Sequence, residues 1–412
     1  PYAENERQQS VIRKLIEFYE TGNLAVFDAY TILWVEETEG EVDFTNGFTE
    51  VYGDPLGLKA SWEGYVNYTD HQATRRAQAL SRNAQWFEDH SPVDARFKKP
   101  LCRGVSAKVI NAAILGGDLY PSSAIGINLP NSNWVRAEHG SKSVTIANLT
   151  HAYDEAARGN GFRNEFADSA QTVSMMDRYG SVCDDLHTDL HECLGHGSGR
   201  LLPGVDPDAL KAYGSTIEEA RADLFGLYYL ADEKLVELGL TPCQEAYKAQ
   251  YYSYMMNGLL TQMVRIQPGH QIEEAHMRNR ALIARWTLEH YPQAVRLSEQ
   301  DGKHYVEILD YPLLRTAFGT LLAEIQRIKS EGDLQAARQM VERYGVQIDA
   351  KLHQEVLERY SKLNLAPYKG FINPRYTPVC DSEGRITDVH IDYLETYDEQ
   401  MLRYSKQYNT LI

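Results

Sequence analysis

Asp189-Leu-His-Glu-Cys-Leu-Gly-His-Gly-Ser-Gly-Arg200 decides how this chain is read, because it sets His191, Glu192 and His196 close together along one run. Two imidazoles on one helix can share a divalent zinc ion, and a carboxylate beside the first can take a proton from water activated at the metal. That is the logic of the HExxH helix, but the spacing here is one residue longer. At roughly 100° per residue, positions i and i+4 lie about 40° apart on a helix, whereas i and i+5 lie about 140° apart. A regular helix would therefore aim His196 away from His191. One wide turn of the π type restores convergence, and such turns favour functional sites. A π-turn is the expectation here, with Gly195 lowering the steric cost of the distortion.

Two unrelated histidines on one helix would give the same hexapeptide, so a third ligand is needed. Ser215-Thr-Ile-Glu-Glu-Ala-Arg-Ala-Asp223 opens an apolar helical pattern through Leu224, Leu227, Tyr228 and Leu235. Ser215 with Glu218, or Thr216 with Glu219, fits a capping box at a helix start. One of the two glutamates can serve the cap while the other faces a neighbouring helix. Pro203, Gly204, Pro207 and Gly214 let the chain reverse between the two stretches. Two histidines and one glutamate, with a fourth position left to water, form a catalytic rather than a structural zinc pattern.

His-Glu-Cys-Leu-Gly-His followed by Glu-Glu-Ala-Arg-Ala-Asp resembles the paired HExxGH and E-E-x-[RK]-A-[ED] motifs of the dipeptidyl-peptidase III family of zinc exopeptidases. The resemblance implies one zinc ion held by His191, His196 and Glu219, with Glu192 as general base and Glu218 orienting a ligand histidine. Further blocks carry it across most of the chain. Glu50, Tyr52, Asp54 and Pro55 match an E-x-Y-x-D-P segment, and Trp62-Glu-Gly-Tyr65 follows at a fitting distance. This implies Tyr52 as a donor to the tetrahedral oxyanion, with Glu50 and Glu63 as acidic contacts in the substrate cleft. Gly126-Ile-Asn-Leu-Pro-Asn131 matches G-I-N-[IL]-P-N and implies that Asn128 and Asn131 bind the substrate's amino end and first peptide group. Ala275, His276, Met277 and Arg280 match A-H-M-x-x-R. His276 would stabilise the transition state, and Arg280 would contact the peptide backbone or its carboxyl end.

Composition narrows the alternatives. The chain has 412 residues, 43% hydrophobic and 24% charged, the balance of a globular protein with room for two or three domains or two large lobes. No apolar run reaches the length of a membrane span, and no secretory signal opens the chain. A formal net charge of −17 argues against nucleic-acid binding and suits a cationic ligand such as a peptide's free amino end. Five widely spaced cysteines, Cys102, Cys183, Cys193, Cys243 and Cys380, do not read as a disulfide framework and favour a reducing compartment. A cytoplasmic monomer acting on short oligopeptides, with no membrane partner, is the expectation. Family members extend upstream of the matched region, so the chain is expected to lack part of one lobe and any signal carried there.

Periodicity gives the remaining elements. A helical pair broken by Gly22 spans residues 6 to 35, short extended runs lie around Gly47 and Gly53, and a charged helical pattern occupies 70 to 90. From about 160 to 365 helical signals dominate, with helices over Glu245 to Leu260, Pro268 to Tyr291, Tyr311 to Ile328, Asp333 to Tyr344 and Ala350 to Leu363. The tail reads as a hairpin through Cys380 and Ile386, then a helix from Tyr397. The expected class is α+β with two lobes. Residues 1–70, 112–157 and 369–412 would belong to a mixed, strand-containing substrate-binding lobe, and 71–111 and 158–368 to a mostly helical catalytic lobe. The expected activity is removal of dipeptides from unblocked N-termini by a zinc-dependent hydrolase. Alternatives are a zinc endopeptidase or monoaminopeptidase, or a non-catalytic zinc or peptide-binding module.

Overall fold

The computed structural model describes residues 2–50, 61–102, 108–120, 123, 126–130, 132–140, 142–149, 151–152, 159–365 and 371–408. The chain divides into two compact units, one of Pro1–Thr74, Lys108–Tyr153 and Tyr368–Ile412, the other of Arg75–Ala107 and Asp154–Pro367. The class is α+β, as expected.

The first unit opens with helices α1 (Glu6–Thr21) and α2 (Leu24–Glu36). Gly22 ends α1 in the left-handed conformation at φ 66°, and Asn23 starts α2 by accepting from the Ala25 amide. Gly22 is thus the break seen in the sequence. Strands β1 (Val42–Glu50), β2 (Ser61–Thr69), β3 (Lys108–Gly117), β4 (Gly126–Leu129) and β5 (Lys142–Ile146) form one sheet in the order β1-β2-β3-β5-β4. β3 and β5 are parallel, and only Lys108 to Ile110 of β3 have a strand partner on that side. Two asparagines supply the hydrogen bonds that the rest of this edge needs. Asn148 bonds both the amide and the carbonyl of Ala112 at 2.9 Å, and Asn373 does the same for Leu115 at 2.8 and 3.1 Å. Tyr65, Ile110, Leu115, Ile146 and Phe371 pack as a core here.

The second unit is built on helices. α3 (His71–Arg82) and α4 (Ala84–His90) lead in, and α5 (Asn133–His139) belongs to the first unit. α6 (Phe162–Phe166), α7 (Ala170–Leu190), α8 (Gly214–Leu230), α9 (Glu233–Glu237), α10 (Tyr247–Leu259), α11 (Ala275–His290), α12 (Tyr311–Glu331), α13 (Leu334–Met340) and α14 (Ala350–Lys362) follow. α8 is buried on nearly every face, from Thr216 and Ile217 to Tyr229 and Leu230. A helix buried on nearly every face belongs at the centre of a bundle. Its approach to α7 is set at Gly226, where an added Cβ would lie 2.5 Å from the His187 ring.

Two expectations need correction. Between the helices expected at Pro268 to Tyr291 and Tyr311 to Ile328, where no strand was anticipated, lies a hairpin of β6 (Val295–Gln300) and β7 (Lys303–Ile308). Asp301 and Gly302 turn it with φ of 51° and 73°. An Asp-Gly pair is a strong two-residue hairpin signal, but the flanking strands are polar and hide the alternation. α11 also begins at Ala275 rather than near Pro268, because Glu274 caps it by accepting from the His276 and Met277 amides.

The tail matches expectation, with β8 (Arg375–Cys380), β9 (Ile386–Asp392) and α15 (Tyr397–Gln407). Thr396 and Glu399 close a capping box on α15. Arg403 donates to both carboxylate oxygens of Glu395, at 2.6 and 2.7 Å, and Gln400 adds a third donor at 3.1 Å. The Arg403 bond, working against burial, lowers the Glu395 pKa to about 2. A folded-state pKa below the unfolded value adds stability that is full above the unfolded value and is lost as pH falls through the folded one. Glu395→Gln should therefore destabilise the protein at neutral pH, with the deficit shrinking by about pH 3. Urea unfolding of both proteins at the two pH values checks this, and an unchanged deficit contradicts it.

Candidate metal centre

α7 does not stop at Leu190 but widens into a π-turn over His191–Gly195, closed by a 3.0 Å bond from the His196 amide to the His191 carbonyl. The five-residue spacing of the histidines is thereby absorbed, as anticipated. Their ring centres lie 4.6 Å apart at 88° to one another. Gly195 serves a different purpose from the one expected. Its backbone stays on the ordinary side of φ, but an added Cβ would sit 2.8 Å from the Ala222 Cα on α8. The glycine lets α8 come close enough to present its glutamates.

α8 starts at Gly214 with no side-chain cap. The expected capping box is absent, and this frees both glutamates for the site. Glu219 Oε2 lies 3.2 Å from His191 Nε2, 3.9 Å from His196 Nε2 and 3.5 Å from His276 Nε2. This oxygen is buried and accepts no well-formed hydrogen bond. Burial raises the Glu219 pKa, but the neighbouring histidines, His191 foremost, outweigh it and hold the carboxyl below its ordinary range. Among the described residues, His191, His196 and Glu219 form a set whose donor atoms lie within 4.8 Å of one another. His276 stands outside that set.

The other nitrogen of each ring has its own carboxylate. His191 Nδ1 donates to Asp223 Oδ1 at 2.7 Å, and His196 Nδ1 donates to Glu218 Oε1 at 2.8 Å. A carboxylate only accepts, so both rings carry a proton on Nδ1 and turn Nε2 toward Glu219. Despite burial, Asp223 and Glu219 lift the His191 pKa to about 10, so a positive charge is strongly favoured between these groups. A divalent cation meets the same demand. An unbonded carboxylate oxygen facing two oriented imidazole nitrogens fits a zinc ion by donor type.

Asp223 was not read as a functional residue from the sequence. It follows Glu219 by one helical turn, so the two share a face, and that spacing was the available signal. Its second oxygen accepts from Tyr254 at 2.7 Å and from Asn279 at 2.8 Å. Burial opposes its charge, but His191, His187 and Arg280 outweigh it and hold Asp223 well below the usual carboxylate range. Glu218 is held down likewise: burial opposes its charge, and Arg221, His196 and Lys329 outweigh that.

Glu192 follows the first histidine on the π-turn with its side chain exposed. His276 opens α11, half exposed, with Nδ1 2.7 Å from Glu274 Oε1. Arg280 lies one turn further on, partly buried. The remaining candidates belong to the first unit. Glu63 is buried on β2 opposite Gly47 and Gly117. Glu50 ends β1 opposite Ser61, and Asn128 lies on β4 opposite Ser143. Tyr52 and Asn131 lie outside the described residues.

The sequence profile described as Peptidase family M49 matches residues 1–212 and 207–362. The chain belongs to peptidase family M49. The M49 chain is similar to dipeptidyl peptidase 3 of Dictyostelium discoideum, 27% identical over 293 residues, covering 62% of this chain and 40% of that protein. It is 24% identical to the rat protein of that name over 391 residues, covering 85% of this chain and 52% of the other. It thus spans about half the length of the curated relatives it matches. The structure of DPP III from Caldithrix abyssi has the same fold, with a TM-score of 0.71 at 22% identity over 87% of this chain and 66% of that one.

Because the M49 site needs Gly195 for helix approach, Gly195→Ala should push α8 from the π-turn. Zinc affinity measured by chelator competition is expected to fall at least about tenfold. An unchanged affinity would contradict this account of the glycine.

Proposed function

We propose that this protein is a zinc-dependent dipeptidyl-peptidase that removes dipeptides from the free N-terminus of short peptides. The observation carrying this reading is the buried Glu219 oxygen, without a well-formed hydrogen bond, between two imidazoles whose tautomers are set by carboxylates. Membership of M49 and the relatives named dipeptidyl peptidase 3 supply the reaction class.

Zinc held by His191, His196 and Glu219 supplies Lewis acidity, which makes water a competent nucleophile near neutral pH. Glu192, exposed beside the first ligand, takes the proton of the attacking water and returns it to the leaving amine. Glu274 accepts from His276 Nδ1 at 2.7 Å and orients the ring, which would turn its Nε2 side to the developing oxyanion. One such donor contributes roughly 3 to 4 kcal/mol to the transition state. That His276 is excluded from the ligand set favours catalysis over a closed structural site. Arg280 would meet the peptide backbone or its carboxyl end, and, by the family resemblance, Tyr52 would donate to the oxyanion. Glu50, Glu63, Asn128 and Asn131 would hold the ammonium group and first peptide unit, which fixes the cut after two residues. The unpaired cysteines support a reducing, cytoplasmic setting for a monomer acting on oligopeptides.

Hydrolysis of a dipeptidyl-naphthylamide should be abolished by a chelator and restored by zinc. Glu192→Gln should lower turnover by about 10²- to 10⁴-fold while the protein keeps one zinc ion. Release of single amino acids, or equal cleavage of an N-acetylated peptide, would defeat the dipeptidyl assignment.

A further inference from the structure

We propose that Lys329, at the end of α12, is a positioning residue for the zinc centre, acting through Glu218 on His196. The proposal rests on the zinc reading given above.

The two histidine ligands are backed by unlike surroundings. Asp223, behind His191, is held by the neutral hydroxyl of Tyr254 and amide of Asn279. Glu218, behind His196, is held by two cations. Arg221 donates through Nη2 to Oε1 at 2.7 Å and through Nε to Oε2 at 3.0 Å, and Lys329 Nζ donates to Oε2. Each Glu218 oxygen therefore has two donors, with His196 and Arg221 on one and Arg221 and Lys329 on the other. Lys329 removes the remaining freedom of the carboxylate to rotate and draws charge away from the oxygen pair. His196 then donates to a weaker acceptor than His191 does, which makes it the less electron-rich ligand of the two.

The lysine is itself held in place. Next to it, Ser330 Oγ donates to the Arg200 carbonyl at 2.7 Å, and the Leu202 amide donates to the Ser330 carbonyl at 2.9 Å. Arg221 Nη1 bonds the Ser198 hydroxyl at 2.7 Å and carbonyl at 3.0 Å. The segment after the π-turn is thus laced to α8 on one side and to the last turn of α12 on the other. Lys329, Glu218 and Glu219 also line a cavity of about 360 Å³, so this cation stands at an opening, where Arg221 is fully enclosed. It can be changed without leaving a hole in the core.

The test compares the intact wild-type protein with Lys329→Met, which keeps length without charge, and Lys329→Arg, which keeps charge. Zinc affinity is read by chelator competition, and the visible absorption of the cobalt-substituted protein reports ligand geometry. Lys329→Met should bind zinc about tenfold more weakly and show an altered cobalt spectrum, while Lys329→Arg stays within about twofold of wild type. Lys329→Gln serves as a second neutral variant if the methionine protein fails to fold. Wild-type affinity and spectrum in a folded neutral variant would overturn the proposal, as would a loss that arginine does not restore. Glu219→Ala separates the two claims. If it abolishes zinc binding while the neutral lysine variants bind normally, the zinc reading stands and the role of Lys329 falls.

Discussion

A carboxylate oxygen buried without a hydrogen-bond donor carries a desolvation cost of several kcal/mol unless a positive charge meets it. Glu219 Oε2 is in that position, and the second unit is arranged to keep it there. The π-turn brings the two imidazoles to one side of α7, Gly195 admits α8, and the lost helix cap leaves the glutamates unengaged. Each feature alone is unfavourable or neutral for folding. Together they bring three candidate donor atoms within 4.8 Å of one another.

The support behind those atoms is as ordered as the atoms themselves. Asp223 ties His191 to α10 through Tyr254 and to α11 through Asn279, and α11 also carries His276 and Arg280. Glu218 ties His196 to Arg221 and to α12. Four helices of one bundle therefore converge on two rings, and in a low-dielectric interior the hydrogen bonds that hold them are strengthened. That explains why α8 can bury Arg221 completely: the guanidinium is fully used by Glu218, Ser198 and His196.

Much of this was legible in the sequence, for physical reasons that differ by residue. The extra residue between His191 and His196 demanded a wide turn, and Gly22 announced a helix break. Glu218 and Glu219 were ambiguous, because Ser215 and Thr216 offered them a cap, and only the packing of α8 decides against it. Asp223 shares a helix face with Glu219 and Arg221 lies one turn from Glu218, whereas Lys329 reaches Glu218 from a distant helix, which no local pattern announces. The β6–β7 hairpin was missed because its strands are polar, although Asp301-Gly302 marked the turn. Tyr52 and Asn131 lie outside the described residues, so their roles stand on family resemblance alone.

Anomalous diffraction at the zinc absorption edge, on crystals of the wild-type protein, tests the central claim most directly. The account predicts one strong peak about 2.0 to 2.2 Å from His191 Nε2, His196 Nε2 and a Glu219 oxygen, with no fourth protein ligand. A peak elsewhere in the chain, or one also ligated by His276 in a closed shell, would contradict it.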